Sequence, residues 1–451
     1  MTIKLHNSMT RSLETFTPQS PGKVTMYVCG PTVYDKPHIG NARPAVVFDV
    51  LHRLLMHTHG RVEYARNYTD IDDKIMAKAA ELGEDIEVVT GWAISYYTLA
   101  MNALRVYPPF HTPRATDYIL PIRGMIAELI LNGHAYVNEG HVFFDVESWP
   151  QHGLLTGHNQ EDLERGARDI KGMDLKRSPS DFVLWKPSTP DQPGWDSHWG
   201  RGRPGWHIEC SAMIDSIFAS QTIDIHAGGA DLRFPHHECE ISQFTACNHK
   251  RLANYWLHNG MVTVDGKKMA KSEGNFITVD DVLKDHHGQA IRLALLSTHY
   301  RSTLDWTDNL LATARQTLTG WFLTLESIDA APQDNEHSRA ILEALSNDLN
   351  TPLAIARIHE ALGEIGHTSP DELAAGVRYA ASVFGFDLSQ AAGEDFLRGG
   401  PDRAEIETLI ANRITARQAR DYAESDRLRQ ELMDRGLVIE DGAGGTRWRR
   451  A

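Results

Sequence analysis

One stretch constrains this chain more than any other: residues 24–68 read as strand, helix, strand. Val24-Thr25-Met26-Tyr27-Val28-Cys29 is a short β-branched and aromatic run, stopped by Gly30-Pro31. A loop leads to His38-Ile39-Gly40-Asn41, where Asn41 reads as the N-cap of a helix and Pro44 suits its first turn. Val46, Val47, Val50, Leu51, Leu54 and Leu55 supply one apolar helical face, and Gly60 ends the helix. A second strand, Val62–Tyr68, runs into Asp70-Ile71-Asp72-Asp73, acids that suit a helix N-terminus. This is a βαβ unit, and it points to a Rossmann-like half of an α/β sheet.

At 451 residues the chain exceeds what one hydrophobic core usually supports, so two to four domains are expected. Residues 1–115 and 204–279 read as two halves of the α/β domain. The second half carries a strand at Thr222–His226, Gly228-Gly229, a helix near 236–248 and a strand reaching Val264. Between the halves, 116–203 reads as a connective insertion, with a helix at Tyr118–Asn132, a hairpin in HAYVNEGHVFFDV and a Pro-, Gly- and Trp-rich run. Helical patterns over 280–386 form a stem, 387–403 is linker-like, and 404–451 is a small module. That module bears Arg413, Arg417 and Arg420 along one helical side.

Four cysteines in so long a chain are no disulfide framework and imply a reducing, cytoplasmic setting. No apolar run approaches transmembrane length, so no membrane partner is expected, and MTIKLHNSMTRSLETF lacks a secretory layout. The net charge of −15 argues against non-specific coating of nucleic acid, although a local basic surface can still bind a defined RNA.

Two motifs suit phosphate chemistry. Pro37-His38-Ile39-Gly40-Asn41 lies between a strand and a helix start, where backbone N–H groups and a dipole end face an anion; His38 can donate to a phosphate oxygen. Lys267-Lys268-Met269-Ala270-Lys271-Ser272-Glu273-Gly274 makes a cationic loop suited to charge building on a leaving pyrophosphate. Taken alone, the first is as readily a loop and the second a solvated turn. A third constellation suits a metal. Cys29 ends the first strand, Cys210 follows Trp206, and His236 and Glu240 are four apart, on one face of a helix. Two thiolates, an imidazole and a carboxylate make a zinc set, with Cys239 and His237 as rivals that spacing leaves open and Cys247 as a core residue. Zinc with an exchangeable position would favour a substrate thiol over a hydroxyl.

The first two motifs resemble the HIGH and KMSKS elements of class I aminoacyl-tRNA synthetases, with Asn41 in place of the second His and Ala270 in place of the first Ser. The segments MYVCGPTVYDKPHIGNAR, RNYTDIDDKI, SDFVLWKP, GRPGWHIECSAM, DIHAGGADLRFPHHECEISQ and KKMAKSEGNFIT resemble cysteinyl-tRNA synthetases, and the likeness extends through NDLNTPLAIA and RLRQELMDRGLVIED. The resemblance implies a class I catalytic domain with an insertion, a helical stem and an anticodon-binding module. It implies activation of L-cysteine with ATP and Mg²⁺ to cysteinyl-adenylate, then transfer to the 3′ end of tRNA-Cys by a monomer. It also implies one Zn²⁺ on Cys29, Cys210, His236 and Glu240, which sets Cys239 aside. His38, Lys268 and Lys271 would be catalytic. Asn41, Gly228, Gly229 and Asp231 would join them around ATP, and Thr69, Trp206 and His226 would surround the cysteine. Two other readings are weighed: a mycothiol-type ligase joining cysteine to an aminosugar, and a non-catalytic tRNA-binding paralogue. The module after 403 argues against the first, and the intact His38, Lys268 and Lys271 against the second.

Overall fold

The computed structural model describes residues 1–157, 173–366, 369–400, 402–442 and 445–450. A hairpin of β1 (Lys4–Asn7) and β2 (Ser12–Thr15) precedes β3 (Lys23–Val28), α1 (Ile39–His59) and β4 (Arg61–Arg66). Two helices follow, α2 (Asp73–Leu82) and α3 (Ile86–Ala103). The second half supplies α5 (Trp206–Ile217), β9 (Ile223–Gly229), α6 (Glu238–Asn248) and β10 (Ala253–Asn259). The four long strands form one parallel sheet in the order β10-β9-β3-β4, with Tyr27 opposite His226 and Val28 opposite Arg66. From β3 the chain steps to β4 on one side and later to β9 on the other. The C-terminal ends of β3 and β9 therefore border a topological switch point, where a parallel sheet leaves a crevice for ligands.

Helix α1 begins one turn earlier than its sequence suggests. Its N-cap is His38, not Asn41: the His38 ring accepts from the Asn41 backbone N–H, and the Asn41 side chain accepts from the His38 N–H. Asn41 thus occupies the third helical position of a capping box, satisfying two otherwise orphan donors. Gly60, at φ 82°, ends the helix as its sequence predicts. The middle of α1 is anchored by charge. Buried Asp49 accepts from Arg53 Nε at 2.8 Å, Arg292 Nη2 at 2.6 Å and Tyr107 N at 2.8 Å.

In the insertion, α4 (Ile119–Leu131) packs with the antiparallel sheet β5 (Ala135–Asn138), β6 (His141–Phe144), β7 (Phe182–Pro187) and β8 (Gly202–Pro204). Ile122, Ile126, Phe144, Leu184 and Trp185 form its core; residues 158–172 of the insertion lie outside the described residues. The strand expected to reach Val264 is instead two: β10 stops at Asn259, and β11 (Val262–Val264) pairs with β12 (Lys267–Lys268) and β13 (Leu304–Trp306).

The chain divides into two compact units, Met1–Leu311 with Ile341–Ile355 and Val383–Gly385, and Ala312–Ala340 with Ala356–Ser382 and Phe386–Ala451. The second unit is helical and ends in a strand hairpin, Leu437–Gly442 with Gly445–Arg450. Ile406, Ile410, Leu432, Leu437 and Trp448 make a small core there. Gln390–Arg398, in the stretch expected to be a linker, is a helix that buries Gly393, Phe396 and Leu397. Arg413 is not a free surface cation. It is buried and gives two hydrogen bonds to Asp441, at 2.9 and 2.7 Å, and Arg417 reaches the same carboxylate.

Candidate active site

A cavity of about 340 Å³ opens at the switch point. The ends of β3 and β4 contribute Cys29, Gly30, Asn67 and Thr69, and the start of α1 contributes His38 and Asn41. Gly229, Asp231, Asn259, Trp206 and His236 complete the opposite wall. Of the residues singled out in the sequence, nine line this one space: Cys29, His38, Asn41, Thr69, Trp206, Cys210, Gly229, Asp231 and His236.

At the deep end, Cys29, Cys210, His236 and Glu240 present donor atoms that all lie within 4.8 Å of one another, and all four are buried. They come from the end of β3, the first turns of α5 and the entry to α6. Cys29 Sγ is 3.8 Å from Cys210 Sγ, close to the edge of a tetrahedron with metal–sulfur bonds of ~2.3 Å. Cys29 Sγ is also 3.3 Å from Glu240 Oε1, which accepts from His236 Nε2 at 2.8 Å. Burial and the neighbouring Cys210 push the Cys29 thiol well above its ordinary value. Burial also opposes ionisation of Cys210, yet the Cys29 S–H donating to it and the adjacent His236 draw it down to about 6. His236 rises to about 10 against its burial, held charged by Glu240 and Cys210. The set thus gathers anionic donors around one point in a dry interior, where a bound cation offsets the desolvation of the acids.

Geometry narrows the rivalry left by spacing. Cys239 faces the insertion core, among Ile122, Ile126 and Phe144, and belongs to no metal-competent group among the described residues. His237 does belong to one: with Cys29, His226 and Glu240 it forms a second group of the same compactness. His237 Nδ1 pairs with His258 Nε2 at 2.9 Å, and His258 Nδ1 with Ser8 Oγ at 2.8 Å, so His237 is already committed on one nitrogen. His207 Nδ1 likewise meets His236 Nδ1 at 3.0 Å. Partners such as His207, His258 and Ser8 have no sequence signal, because they come from separate segments and form no spacing.

His226 and Gly228 do not line the cavity. His226 is fully buried, its Nε2 hydrogen-bonded to Glu240 and its ring edge-on to Tyr27, so it orients Glu240 from behind. Gly228 is required by its neighbour: a Cβ there would come within 2.9 Å of the His237 ring. Thr69 accepts from Asn67 Nδ2 at 3.3 Å, while Asn67 Oδ1 accepts from Gly30 N at 2.8 Å, which ties the ends of β3 and β4 together. Trp206 stacks on His236, ring centroids 4.6 Å apart.

At the other end, the His38 ring is a neutral donor. Its Nδ1 accepts from Asn41 N at 3.3 Å, leaving the proton on Nε2. Burial and the Lys271 charge lower its pKa to about 4. Gly40 keeps this ring in place, since a Cβ there would lie 2.9 Å from it. Lys268 and Lys271 stand outside the cavity wall. Lys268 is exposed on β12, and Lys271 forms an ion pair with Asp35, which does line the cavity. Asp35 is a site residue that the sequence did not single out; a lone acid in a loop carries no pattern. No helix among the described residues is long and apolar enough to cross a membrane.

The parallel sheet, its switch-point cavity and the capped α1 start define the chain as having the class I aminoacyl-tRNA synthetase catalytic fold. Solved structures of that fold superpose over most of the chain. A Mycobacterium tuberculosis methionyl-tRNA synthetase in complex with methionyl-adenylate matches with TM-score 0.60 at 12% identity, covering 84% of this chain and 95% of that one. The Agrobacterium radiobacter K84 LeuRS of a ternary complex matches with TM-score 0.58 at 13% identity, covering 84% and 85%. The family described as tRNA synthetases class I (C) catalytic domain matches residues 15–316, and the cysteinyl-tRNA ligase anticodon binding domain matches 403–449. Curated cysteine–tRNA ligases of Acidiphilium cryptum and Paramagnetospirillum magneticum are 51% and 48% identical, each across all of this chain and 99% and 100% of their own length. The chain belongs to the cysteinyl-tRNA synthetase family.

Proposed function

We propose that this protein is a cysteine–tRNA ligase that activates L-cysteine with ATP and transfers it to the 3′ end of tRNA-Cys. The observation that carries the reading is the convergence of Cys29, Cys210, His236 and Glu240, from three separate segments, at the switch-point cavity, which the first three line and behind which Glu240 is buried. The soft, anionic donor set fits Zn²⁺. When bound there, zinc would supply a soft Lewis acid that favours a thiol over the hydroxyl of serine by a large factor, ~10⁴ where a specific polar contact decides.

The chain's own residues do the rest. Thr69 and Trp206 bound the cysteine end of the cavity, and His226 steadies Glu240. His38 keeps Nε2–H directed to an ATP phosphate oxygen and, being neutral at pH 7, donates without bringing a full charge. Asn41 fixes that ring through the capping box, which accounts for an asparagine at the second signature position. Gly229 and Asp231 border the nucleotide, while Gly228 keeps room for the His237 ring behind them. The cysteine carboxylate attacks the α-phosphorus in line and pyrophosphate departs. Lys268 and Lys271, with the Mg²⁺ that accompanies ATP, stabilise the charge moving onto it. A terminal ribose hydroxyl of the tRNA then attacks the activated carbonyl and releases AMP. Positioning and electrostatics supply the rate, since no side chain in the cavity is poised as a general base.

The anticodon-binding match over 403–449 supports tRNA, rather than an aminosugar, as the acceptor. We place the enzyme in the reducing cytoplasm, in keeping with its free cysteines, and take it to act as a monomer. We retain the division into a split catalytic domain (1–115, 204–279), insertion (116–203), stem (280–386) and C-terminal module (404–451). Cysteine-dependent ATP–pyrophosphate exchange on zinc-defined protein, followed by charging of tRNA-Cys, tests the function. Exchange with cysteine, none with serine, and formation of cysteinyl-tRNA are expected; exchange without charging would overturn the tRNA assignment.

A further inference from the structure

The last residue of β4 is an arginine that the reaction described above leaves unused. Arg66 is 5% exposed, yet it lines the active-site cavity. Its stem runs beside Gly30, and its guanidinium lies 5.4 Å from the Tyr97 ring centroid. Among the described residues it makes no ion pair, and Nη1 is buried with no hydrogen-bond acceptor. Tyr64, Tyr68, Tyr97 and, through space, Asp49 favour its charge, but the acids near it take their direct contacts from other residues. Asp35, in the cavity wall, pairs with Lys271, and both Asp49 oxygens are held by Arg53, Arg292 and Tyr107 N.

A buried guanidinium without a counter-ion is costly, whereas one matched by a carboxylate or phosphate gains two parallel, charge-assisted bonds. The strand fixes which side it serves. Arg66 and Tyr64 share a face of β4, and Tyr64 packs on His52 of α1, so Arg66 stands on the α1 side of the sheet. That side holds the start of α1, with Asn41, Pro44 and Ala45 lining the same cavity. The thiol-facing cluster lies elsewhere, below the ends of β3 and β9. We infer that Arg66 is a substrate-anchoring residue. It takes an anionic oxygen of the adenylate-forming pair, either the cysteine carboxylate or an ATP phosphate, and holds the two reactants in register. This rests on the function proposed above.

The test is steady-state exchange with Arg66→Gln and Arg66→Lys, varying cysteine and ATP separately, with thermal unfolding as the check on folding. Loss of a buried charged contact predicts a fall in kcat/KM of roughly 30-fold or more in Arg66→Gln. A rise in the KM for cysteine identifies the carboxylate, and a rise in that for ATP the phosphate. Arg66→Lys keeps the charge but not the planar fork, and should recover part of the loss. Should Arg66→Gln fail to fold, Arg66→Lys alone must still raise one KM several-fold. Folded variants with unchanged exchange, or a defect confined to transfer onto tRNA, would overturn the anchor. Wild-type protein without any exchange would overturn the underlying function instead.

Discussion

Lys271 is not idle in the structure, and its ion pair with Asp35 makes a prediction whose direction runs against most active-site substitutions. Asp35 raises the pKa of Lys271, and its own carboxyl is held low, against partial burial, by the lysine. If Lys271 must reach the leaving pyrophosphate, it must first leave Asp35, so the pair opposes the transition state. The size of that opposition follows from exposure. The Lys271 side chain is 55% exposed and Asp35 26%, which places the pair among surface salt bridges worth ~0.2–1 kcal/mol rather than among buried ones. Asp35→Asn should therefore raise kcat/KM for ATP in pyrophosphate exchange by roughly 1.4- to 5-fold at low salt. The difference should shrink as salt rises, because at ~1 M the screening length is about 3 Å. Stopped-time exchange at several ATP concentrations, with and without added salt, measures both effects. A loss of tenfold or more would refute the reasoning, since it would mean that Asp35 delivers the lysine instead of restraining it.

Three further outcomes follow from the same geometry. Cys210→Ser should reduce bound zinc and cysteine affinity together, while Cys239→Ser, which alters only the insertion core, should leave metal content unchanged; elemental analysis beside exchange kinetics distinguishes them. His38 should titrate near pH 4 by NMR, below the ordinary imidazole value. A folded pKa below the unfolded one means that the unfolded chain binds more protons between about pH 4 and 6.5, so this residue's contribution to stability is complete above that window and is lost as pH falls through it. A His38 resonance titrating at 6.5 or above would contradict the neutral-donor role. Asp49→Asn should cost about 3–5 kcal/mol in urea unfolding of the catalytic unit, because it leaves Arg53 and Arg292 buried beside a neutral amide. A loss below about 1 kcal/mol would show that their backbone acceptors suffice.

Local chemistry was enough to read some of this protein. The run Val24–Cys29, the Gly30-Pro31 break and the apolar face of α1 specify a βαβ unit, because strand propensity, chain reversal and helical period are properties of neighbouring residues. The two phosphate motifs and the His236–Glu240 pair were legible for the same reason: each lies within a few residues of chain. The cap at His38 in place of Asn41 was decided by a reciprocal side-chain bond that either residue type allows. The linker reading at 387–403 failed because Phe396 and Leu397 are buried, an outcome set by what packs on them and not by their flanking glycines.

What tertiary structure alone decided is which distant groups meet. Cys29 and Cys210 are 181 residues apart and become neighbours only because β3 and β9 pair and the buried side of α5 packs into the same core. Other long-range contacts turn Cys239 into core, set His226 behind Glu240 and give Lys271 its acid. Arg66 shows the point most plainly. In the sequence it is one more arginine at a strand end, and only burial without a counter-ion, at the wall of a cavity, makes it a charge that calls for a ligand. Spacing records what a helix or strand brings together; the sheet order determines the rest, because contact across a switch point depends on the path of the whole chain.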